Sequence, residues 1–429
     1  SPRAYGMNGK LHMTNHEFSS LPVRQSLTIV GVGTAGRQTL SEETLALINS
    51  ADELWGSPRL LEMFPETTHP VTLEHELTAQ LKTLAERSPN RKIVLLASGD
   101  PGFYGLGSKL RKMLPDEKLQ IIPQPSTIQE AFARADLSLE GAFFLSAHQD
   151  IPTELHGALR RYARIGLLTG PKALPQRIAQ RVLSYGLNDI RVVVCSNMGL
   201  SDEAFFNGTL EECAAREFSA LSVILLIEPD NWQPEALDIC RPDEAYAFCN
   251  GLITKHDIRA LALQRLKLRE TDVFWDIGAG SGALSVEAAE HAWNGRVYAI
   301  ERNTDCLGLI SENRNRFGVD NLEIISGSAP EALANLPTPD AVFIGGSGGC
   351  LEAILNALET TGKKPLRLVM SFVLLEHVCS ALLWFRTQGI EPELVQIAIS
   401  NSSLLAGNTR LVPQNPVFLL SGTLSERNR

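Results

Sequence analysis

The sequence predicts an α/β protein with two domains, and three observations support this prediction. A short apolar strand runs into a glycine-rich turn at two distant places, residues 27–36 and 273–282, and a helical pattern follows each turn. Strand-like apolar runs alternate with helical patterns through most of the chain. Residues 228–243 hold three prolines and show no periodicity, which is typical of a linker. Strand, glycine turn and helix together are the opening of an α/β domain.

The length of 429 residues fits two ordinary domains. We expect a tail at residues 1–23, a first domain at 24–228, a linker at 229–243 and a second domain at 244–429. Residues 1–12 resemble the remnant of an expression tag before a natural start at Met13. Neither residues 1–12 nor the residues that follow Met13 have the order of charged, apolar and small residues that marks a secretory signal.

Composition narrows the class of protein. Hydrophobic residues make up 44% and charged residues 21% of the chain, as in ordinary globular proteins. No apolar run reaches the ~18 residues of a membrane span. The seven cysteines are scattered, with no C-x-x-C pair, so we expect reduced thiols in a cytoplasmic protein and no metal site. The net charge of −10 disfavours nucleic acid as a partner.

In the first domain, each strand-like run is short and apolar, and helical patterns separate most of them. A largely parallel sheet is therefore the expectation. The first turn is followed by apolar residues at helical spacing, among them Leu40, Leu45 and Ile48. The runs are residues 27–30, 93–96, 119–122, 142–145, 165–168, 191–194 and 222–227.

In the second domain the same alternation continues after its own glycine turn. Leu284, Val286 and Ala289 give the helical pattern. The last two runs have no long crossover between them, so we expect them to pair antiparallel. The runs are residues 273–277, 297–300, 322–325, 341–344, 366–370, 394–399 and 417–420.

Three strand ends in the second domain carry the features of a nucleoside site. Asp276 precedes the glycine turn at 278–282, where its carboxylate can accept hydrogen bonds from the loop or from a ligand's ammonium group. Glu301 ends the next strand, placed to bind two ribose hydroxyls. Residues 326–332 follow the third strand and form the third segment at this edge of the predicted sheet. A nicotinamide site and a purely structural turn are the alternatives.

After the fourth strand come four glycines around Ser347, at residues 345–349. Glycines at a strand end leave room for a bulky ligand. The segment 415–418 is close to an Asn-Pro-Pro-aromatic motif but lies near the C-terminus. We interpret it as the lead-in to the final strand.

In the first domain, residues 31–36 fit the G-x-G-x-x-G pattern of a dinucleotide site. The acid expected to bind ribose is not evident, because Asp52 and Glu53 precede a strand-like segment. Residues 98–105, with an acid and a proline-fixed turn at a strand end, instead indicate a rigid, open backbone surface for a nucleoside. The turns at 123–129 and 167–171 fit the same scheme.

On these motifs the second domain resembles Rossmann-like class I methyltransferases, and with residues 251–255, 329–333 and 344–349 it resembles the bifunctional C5,15-methyltransferases (decarboxylating) that act on precorrin-6Y in cobalamin biosynthesis. The resemblance implies S-adenosyl-L-methionine as cofactor. Lys255 and the glycine loop would face the substrate. The residues implied at the cofactor are Thr254, Asp276, Gly278, Ala279, Gly280, Ser281, Gly282, Glu301 and Ala329, and those at the substrate are Lys255, Gly345, Gly346, Ser347, Gly348 and Gly349.

The first domain resembles the tetrapyrrole methylase family, in which two α/β halves trap the cofactor in the cleft between them. The family commonly has Gly-x-Gly-Pro-Gly in the first loop, and this chain has Thr34-Ala35 in place of the proline and a glycine. The family's Ser-x-His-Gly segment corresponds here to residues 146–149, with Gln149 in place of the glycine. His148 in this segment either orients the substrate or is a satisfied loop histidine. The cofactor residues implied here are Thr34, Ser98, Gly99, Asp100, Ser126, Thr127 and Thr169.

The resemblance implies methylation of a tetrapyrrole at C5 by the first domain, and methylation at C15 with loss of the C12 acetate carboxyl by the second. We expect a small-molecule partner, no nucleic acid, no membrane and a homo-oligomer. The alternatives are an RNA methyltransferase, a nicotinamide oxidoreductase and a non-catalytic scaffold. Candidate cations for substrate carboxylates, most of them expected to be solvated, are Arg160, Arg161, Arg164, Lys172, Arg177, Lys255, His256, Arg259 and Arg410.

Overall fold

The computed structural model describes residues 27–67, 69–73, 79–80, 83–84, 91–114, 119–236, 240–249, 251, 253–361 and 365–425. The chain divides into two compact units, residues 1–130 with 198–203, and residues 131–197 with 204–429. The expected tail at 1–23 lies outside the described residues. Among the described residues, no helix is both long and apolar enough to cross a bilayer.

The first unit contains a five-stranded sheet in the order β3-β2-β4-β1-β5, in which all paired strands are parallel. The parallel prediction is correct for this sheet. Gly31 and Val32 belong to the first strand and not to the turn, because the turn begins only at Gly33. The strands are β1 (Leu27–Val32), β2 (Glu53–Gly56), β3 (Pro70–Thr72), β4 (Ile93–Ser98) and β5 (Gln120–Ile122), and the helices are Gly36–Thr39 (3-10), Glu42–Asn49, Pro58–Leu61, Leu106–Met113 and Thr127–Arg134, the last continuing past the unit boundary.

The second unit begins with a five-stranded sheet in the order β6-β7-β10-β8-β9. Here the expectation of a largely parallel sheet fails for β10, which runs antiparallel to β7 and β8. β9 runs antiparallel to β8 and was not among the predicted runs. All six residues of β10 are buried, and a continuous apolar run does not reveal strand direction. The elements are β6 (Phe143–Ser146), Leu155–Leu159, β7 (Arg164–Leu168), Pro175–Ser184, β8 (Arg191–Ser196), β9 (Ala204–Thr209), Leu210–Ala214 and β10 (Ser222–Ile227).

The same unit contains a seven-stranded sheet in the order β13-β12-β11-β14-β15-β19-β16. The first five are parallel, and β19 runs antiparallel to both β15 and β16. The antiparallel pairing of the last two runs is thus confirmed. The strands are β11 (Val273–Ile277), β12 (Arg296–Glu301), β13 (Leu322–Ser326), β14 (Ala341–Ile344), β15 (Leu366–Phe372), β16 (Glu393–Ile397) and β19 (Val417–Leu424).

Helices connect the parallel strands of this sheet, and a separate hairpin lies between β16 and β19. The hairpin pairs β17 (Ser400–Leu405) with β18 (Asn408–Pro413), and the sequence patterns did not predict it. The segment 415–418 leads into β19, as predicted. The helices are Asp243–Ala245 (3-10), His256–Leu266, Ala283–His291, Thr304–Phe317, Glu331–Leu333 (3-10), Leu351–Glu359 and Leu375–Thr387.

Within the second unit, Trp293 is one of the residues that pack the two large sheets' layers together. Trp293 is 3% exposed and packs in the apolar cluster under β7, β8 and β10. A Cβ on Gly157 would lie 2.8 Å from the Cβ of Trp293, and the guanidinium of Arg161 lies 5.0 Å from the ring centre. Buried thiols also fill this core; burial raises the pKa of Cys213 to about 12, which fits a structural role.

Candidate active site

The glycine turn after β11 is a backbone cradle. Gly278, Gly280 and Gly282 have φ of +73°, +58° and +76°, a region that glycine enters without steric cost. A Cβ on Gly278 would lie 2.5 Å from the carbonyl oxygen of Gly346. The turn therefore accepts no side chain at Gly278, where it packs against Gly346, and residues 278–280 remain partly exposed.

Hydrogen bonds hold the carboxyl ends of four strands together. The amide of Gly278 donates to the carbonyl of Ile300 at 2.9 Å, and the amide of Gly345 donates to that of Ile277 at 2.9 Å. The amide of Gly327 donates to the carbonyl of Glu301 at 3.0 Å. The strand order reverses between β11 and β14, which is where open α/β sheets bind ligands. The structure thus brings together the three strand ends and the glycine loop that the sequence indicated.

Glu301 ends β12, as predicted, and its carboxylate is fixed by backbone amides. One oxygen accepts from Gly280 at 2.9 Å, and the other accepts from Arg302 and Asn303 at 2.8 Å each. The side chain is only partly buried. A rigid carboxylate that touches the glycine turn is well placed to receive the hydroxyls of a ribose.

Asp276 is 1% exposed, and its carboxylate contacts the helix after the turn. It accepts from the hydroxyl of Ser285 at 2.5 Å, so the expected bonding to the loop is replaced by a bond to the helix. Burial raises the pKa of Asp276 to about 7. Next to it, the buried hydroxyl of Ser281 has no hydrogen-bond partner in the described part of the chain.

The remaining expected cofactor residues of this domain lie on neighbouring segments. Ala329 is 9% exposed, packs in the core and precedes a cis peptide bond to Pro330. The carbonyl of Thr254 accepts from Arg259 at 2.6 Å. The ammonium of Lys255 lies 3.3 Å from a carboxylate oxygen of Asp243. Lys255, predicted to face the substrate, therefore already has an internal anionic partner.

The glycine loop after β14 is exposed, and an apolar segment follows the neighbouring strand. Gly348 and Gly349 have φ of +56° and +89°. After β15, the side chains of Val373, Leu374 and Leu375 are 59%, 55% and 60% exposed. Because β14 and β15 are parallel neighbours, these apolar side chains lie at the same sheet edge as the glycines. Sequence reasoning missed them, since an apolar triplet before a helix resembles a buried helix start.

In the first unit, glycines bring three strand ends into contact. A Cβ on Gly31 would lie 2.0 Å from the carbonyl oxygen of Gly99, and one on Gly99 would lie 2.9 Å from the Cα of Ser126. The amide of Gly99 donates to the carbonyl of Val32 at 2.8 Å. The segments around Ser98–Asp100 and Ser126–Thr127, both predicted to bind the cofactor, are thus adjacent. Tyr104 in the loop after β4 has φ +50° and is 47% exposed.

The polar groups of this unit have partners that the sequence did not reveal. The hydroxyl of Thr34 donates to Glu130, and the hydroxyl of Ser98 accepts from Arg59 at 2.9 Å. Asp100 accepts from the amide of Gly102 at 2.7 Å, which fixes the turn. The hydroxyl of Ser126 accepts from the amide of Gln129 at 3.2 Å, at the start of the helix that also holds Thr127.

Thr169 and His148 lie in the second unit and contact each other. The hydroxyl of Thr169 donates to the carbonyl of Ser222 at 2.8 Å, so this hydroxyl is committed to the sheet. The Nδ1 of exposed His148 lies 3.0 Å from the carbonyl oxygen of Thr169. Since a carbonyl only accepts, Nδ1 is the donor, which leaves Nε2 of a neutral ring as an acceptor. Both roles considered for His148 remain compatible with this geometry.

Several cations considered for substrate carboxylates are instead structural. Arg259 is fully buried and bonds Glu287 at 2.7 Å. Arg160 bonds Glu290 at 2.6 Å, and Arg161 donates to the carbonyl of Glu290 at 2.9 Å. These three arginines hold the helix Ala283–His291 against its surroundings, which corrects their expected role. The sequence did not reveal these roles, because nothing in the local pattern shows that these arginines are buried beside acidic partners.

Comparison with known families defines the class of protein. A family model described as tetrapyrrole (corrin/porphyrin) methylases matches residues 26–214. A second, described as a precorrin methyltransferase domain, matches residues 245–423. The chain is therefore a methyltransferase that joins a tetrapyrrole methylase domain to a Rossmann-like class I domain.

Curated relatives narrow this class to one family. A precorrin-6Y C(5,15)-methyltransferase [decarboxylating] from Sinorhizobium sp is 31% identical over 408 residues, which cover 92% of this chain and 96% of the relative. The protein of the same description from Mycobacterium tuberculosis is 30% identical and covers 92% of this chain and 99% of its own. A cobalt-precorrin-6B C(15)-methyltransferase (decarboxylating) from Salmonella typhimurium is 39% identical over 40% of this chain and 89% of its own. The chain belongs to the precorrin-6Y C(5,15)-methyltransferase (decarboxylating) family.

Proposed function

We propose that the chain is a bifunctional, S-adenosyl-L-methionine-dependent C-methyltransferase of corrin biosynthesis. Its first domain (24–228) methylates precorrin-6Y at C5. Its second domain (244–429), joined through a linker at 229–243, methylates C15 and removes the carboxyl of the C12 acetate. Support comes from full-length relatives of this description and from the site geometry.

The observation that carries the proposal is the cradle at residues 276–282 against Glu301. Three left-handed glycines shape the turn, and the partly exposed backbone of residues 278–280 is where a ligand would lie. Glu301 is fixed beside the turn by the amide of Gly280. These features fit an adenosyl group with its ribose on the carboxylate. When bound, S-adenosyl-L-methionine supplies an electrophilic methyl group on a sulfonium.

The chain's own task is to align the acceptor and to exclude water. The acceptor carbons of a partly reduced tetrapyrrole are enamine-like and already nucleophilic, so no strong base is required. The glycines at 345–349 leave room for a macrocycle, and Val373, Leu374 and Leu375 offer an apolar face at the same edge. On decarboxylation, the electron pair of the broken C–C bond passes into the conjugated ring, which is then protonated.

In the first domain, the touching turns at Gly31, Gly99 and Ser126 support a second cofactor site of the same kind. Their glycines exclude side chains, so the ligand would be recognised mainly by backbone groups. Thr34, Asp100 and Thr127 are the polar side chains we propose there.

The test is incubation of the purified chain with metal-free precorrin-6Y and methyl-labelled cofactor, followed by mass spectrometry. The expected product has gained two methyl groups and lost one carbon dioxide. An unlabelled, unchanged tetrapyrrole overturns the proposal. Binding of NADH in preference to S-adenosylhomocysteine would indicate an oxidoreductase instead.

We further propose that the protein acts in the cytoplasm as a homo-oligomer. The hairpin of β17 and β18 exposes Leu404, Leu405 and Leu411 at 78%, 56% and 69%, and exposed apolar patches of this kind often mark interfaces. Sedimentation velocity at two protein concentrations measures the assembly, and a monomer throughout contradicts it.

A further inference from the structure

We propose that Arg302 binds a carboxylate side chain of the tetrapyrrole in the second domain's site. This inference rests on the proposed function and adds to it a residue that recognises the substrate. Sequence reasoning had placed this role on Lys255, whose ammonium lies beside Asp243.

The backbone of Arg302 is fixed at the edge of the site. Its amide donates to Glu301 at 2.8 Å, and so does the amide of Asn303. Asn303 in turn caps the helix Thr304–Phe317, where its side chain accepts from Asp305 at 2.9 Å. A long side chain that starts from this anchored turn has a defined origin.

The side chain of Arg302 extends from the end of β12 to the glycine loop after β14. A Cβ on Gly348 would lie 3.0 Å from Nη1 and 3.2 Å from Cζ of Arg302. The guanidinium therefore lies against Gly348, with no side chain between them. In this way a cation reaches the loop where the methyl acceptor is proposed to bind, and β11 with its turn lies between the two anchoring strands.

The guanidinium of Arg302 is available to a ligand. Arg302 is exposed, and within the part of the chain that the structure describes no group bonds to its guanidinium. By contrast, Arg259 and Arg160 form ion pairs with buried carboxylates. An arginine presents a planar pair of N–H donors that matches a carboxylate in bidentate geometry.

The substrate class supplies the matching group. A precorrin carries acetate and propionate side chains around a flat ring. With the ring over the glycines and against Val373–Leu375, a peripheral carboxylate can reach the guanidinium at the opposite margin. The ion pair would fix the rotation of the ring and so select the carbon presented for methylation.

The experiment compares Arg302→Gln, Arg302→Lys and a control, Arg386→Gln. Arg386 is an exposed arginine of the same domain that pairs with Glu391. In Arg302→Gln we expect KM and the Kd for the tetrapyrrole, followed by absorbance, to rise about 10- to 100-fold, the loss expected for a charged hydrogen bond. The Kd for S-adenosylhomocysteine should not change. Arg302→Lys should recover part of the loss, and the control should match wild type.

A chemical variant of the ligand sharpens the test. Methyl esterification of the substrate's carboxylates should weaken binding to wild type far more than binding to Arg302→Gln. Equal KM in wild type and Arg302→Gln, or a weakened affinity for S-adenosylhomocysteine, overturns this inference while leaving the proposed function intact. A wild-type chain that does not methylate the tetrapyrrole overturns both.

Discussion

Two carboxylates at the ends of neighbouring strands differ in chemistry because their surroundings differ. Glu301 is partly exposed, and its two carboxylate oxygens accept hydrogen bonds from three backbone amides. Asp276 is buried and accepts hydrogen bonds from the hydroxyl and the backbone of Ser285, and burial disfavours its charge. Glu301 is thus the carboxylate that we propose binds hydroxyls of a ligand. Asp276 instead connects β11 to the helix after the turn through Ser285.

Burial raises the pKa of Asp276 to about 7, well above the range of an exposed aspartate, and this makes stability depend on pH. The folded state binds the proton more tightly than the unfolded state, so stability is fully present below pH ~4 and falls as pH rises toward 7. In Asp276→Asn this penalty is removed. Between pH 5 and pH 8 we expect wild type to lose about 2–3 kcal/mol relative to the variant, measured by calorimetric unfolding.

The matched control is Asp305→Asn, an exposed aspartate of the same domain. Its pH profile should follow that of wild type. Parallel profiles for wild type and Asp276→Asn would show that the carboxylate is ionised in the folded protein throughout this range.

At the residue scale, sequence alone located the backbone features of the site better than its side-chain partners. The positions of Gly278, Asp276 and Glu301 follow from strand ends, which patterns of apolar residues reveal. The pairing of Lys255 with Asp243 or of Thr34 with Glu130 depends on residues distant in sequence. No local pattern could predict either partner.

At the scale of elements, one helix end joins two parts of the second unit. Gly318 ends the helix Thr304–Phe317 with φ +64°. The Nδ1 of His156 donates to its carbonyl at 2.8 Å, and the imidazole stacks on Tyr185. Burial lowers the pKa of His156, so the neutral ring is the form that packs here.

We expect Gly318→Ala to disrupt this junction. A Cβ there would lie 2.5 Å from Nδ1 of His156, and the left-handed backbone adds strain of about 1–2 kcal/mol. The combined loss should be about 2–4 kcal/mol of the free energy of unfolding, measured in urea. Gly308→Ala in the same helix, where a Cβ meets nothing within 4 Å, should instead gain about 0.5–1 kcal/mol. Equal stability of the two variants contradicts the steric explanation.

Strands were predictable where a local run of apolar residues coincides with a buried position in a sheet. The strands β11, β14 and β10 begin and end as the apolar runs indicated. The direction of β10 was not predictable, because its pairing with segments distant in sequence decides that direction. The hairpin of β17 and β18 was missed since its residues are largely exposed and lack the alternation of a half-buried strand.

At the scale of the whole molecule, the two-domain order was predictable because each domain opens with its own strand and glycine turn. The predicted boundary at 229–243 stays a prediction. Packing groups residues 131–197 with the second domain's sheet, and Trp293 contributes to the core beneath β7 and β8. Trp293 is a single tryptophan after a helix, and the sequence gives no sign that it packs beneath β7 and β8.

The two cofactor sites that we propose, one in each domain, lead to a prediction about stoichiometry. Titration calorimetry with S-adenosylhomocysteine should give two sites per chain in wild type. Glu301→Gln removes the charge that fixes the turn at Gly280, so one site should weaken about 10- to 100-fold while the other is unchanged.

The control for charge is Glu323→Gln, an exposed glutamate on β13 of the same sheet, which should keep both sites. Because the two domains have separate glycine turns, a loss confined to one site shows that they bind the cofactor independently. If Glu301→Gln weakened both sites equally, the domains would have to share or couple their binding; if it weakened neither, the ribose contact would lie elsewhere than on β12.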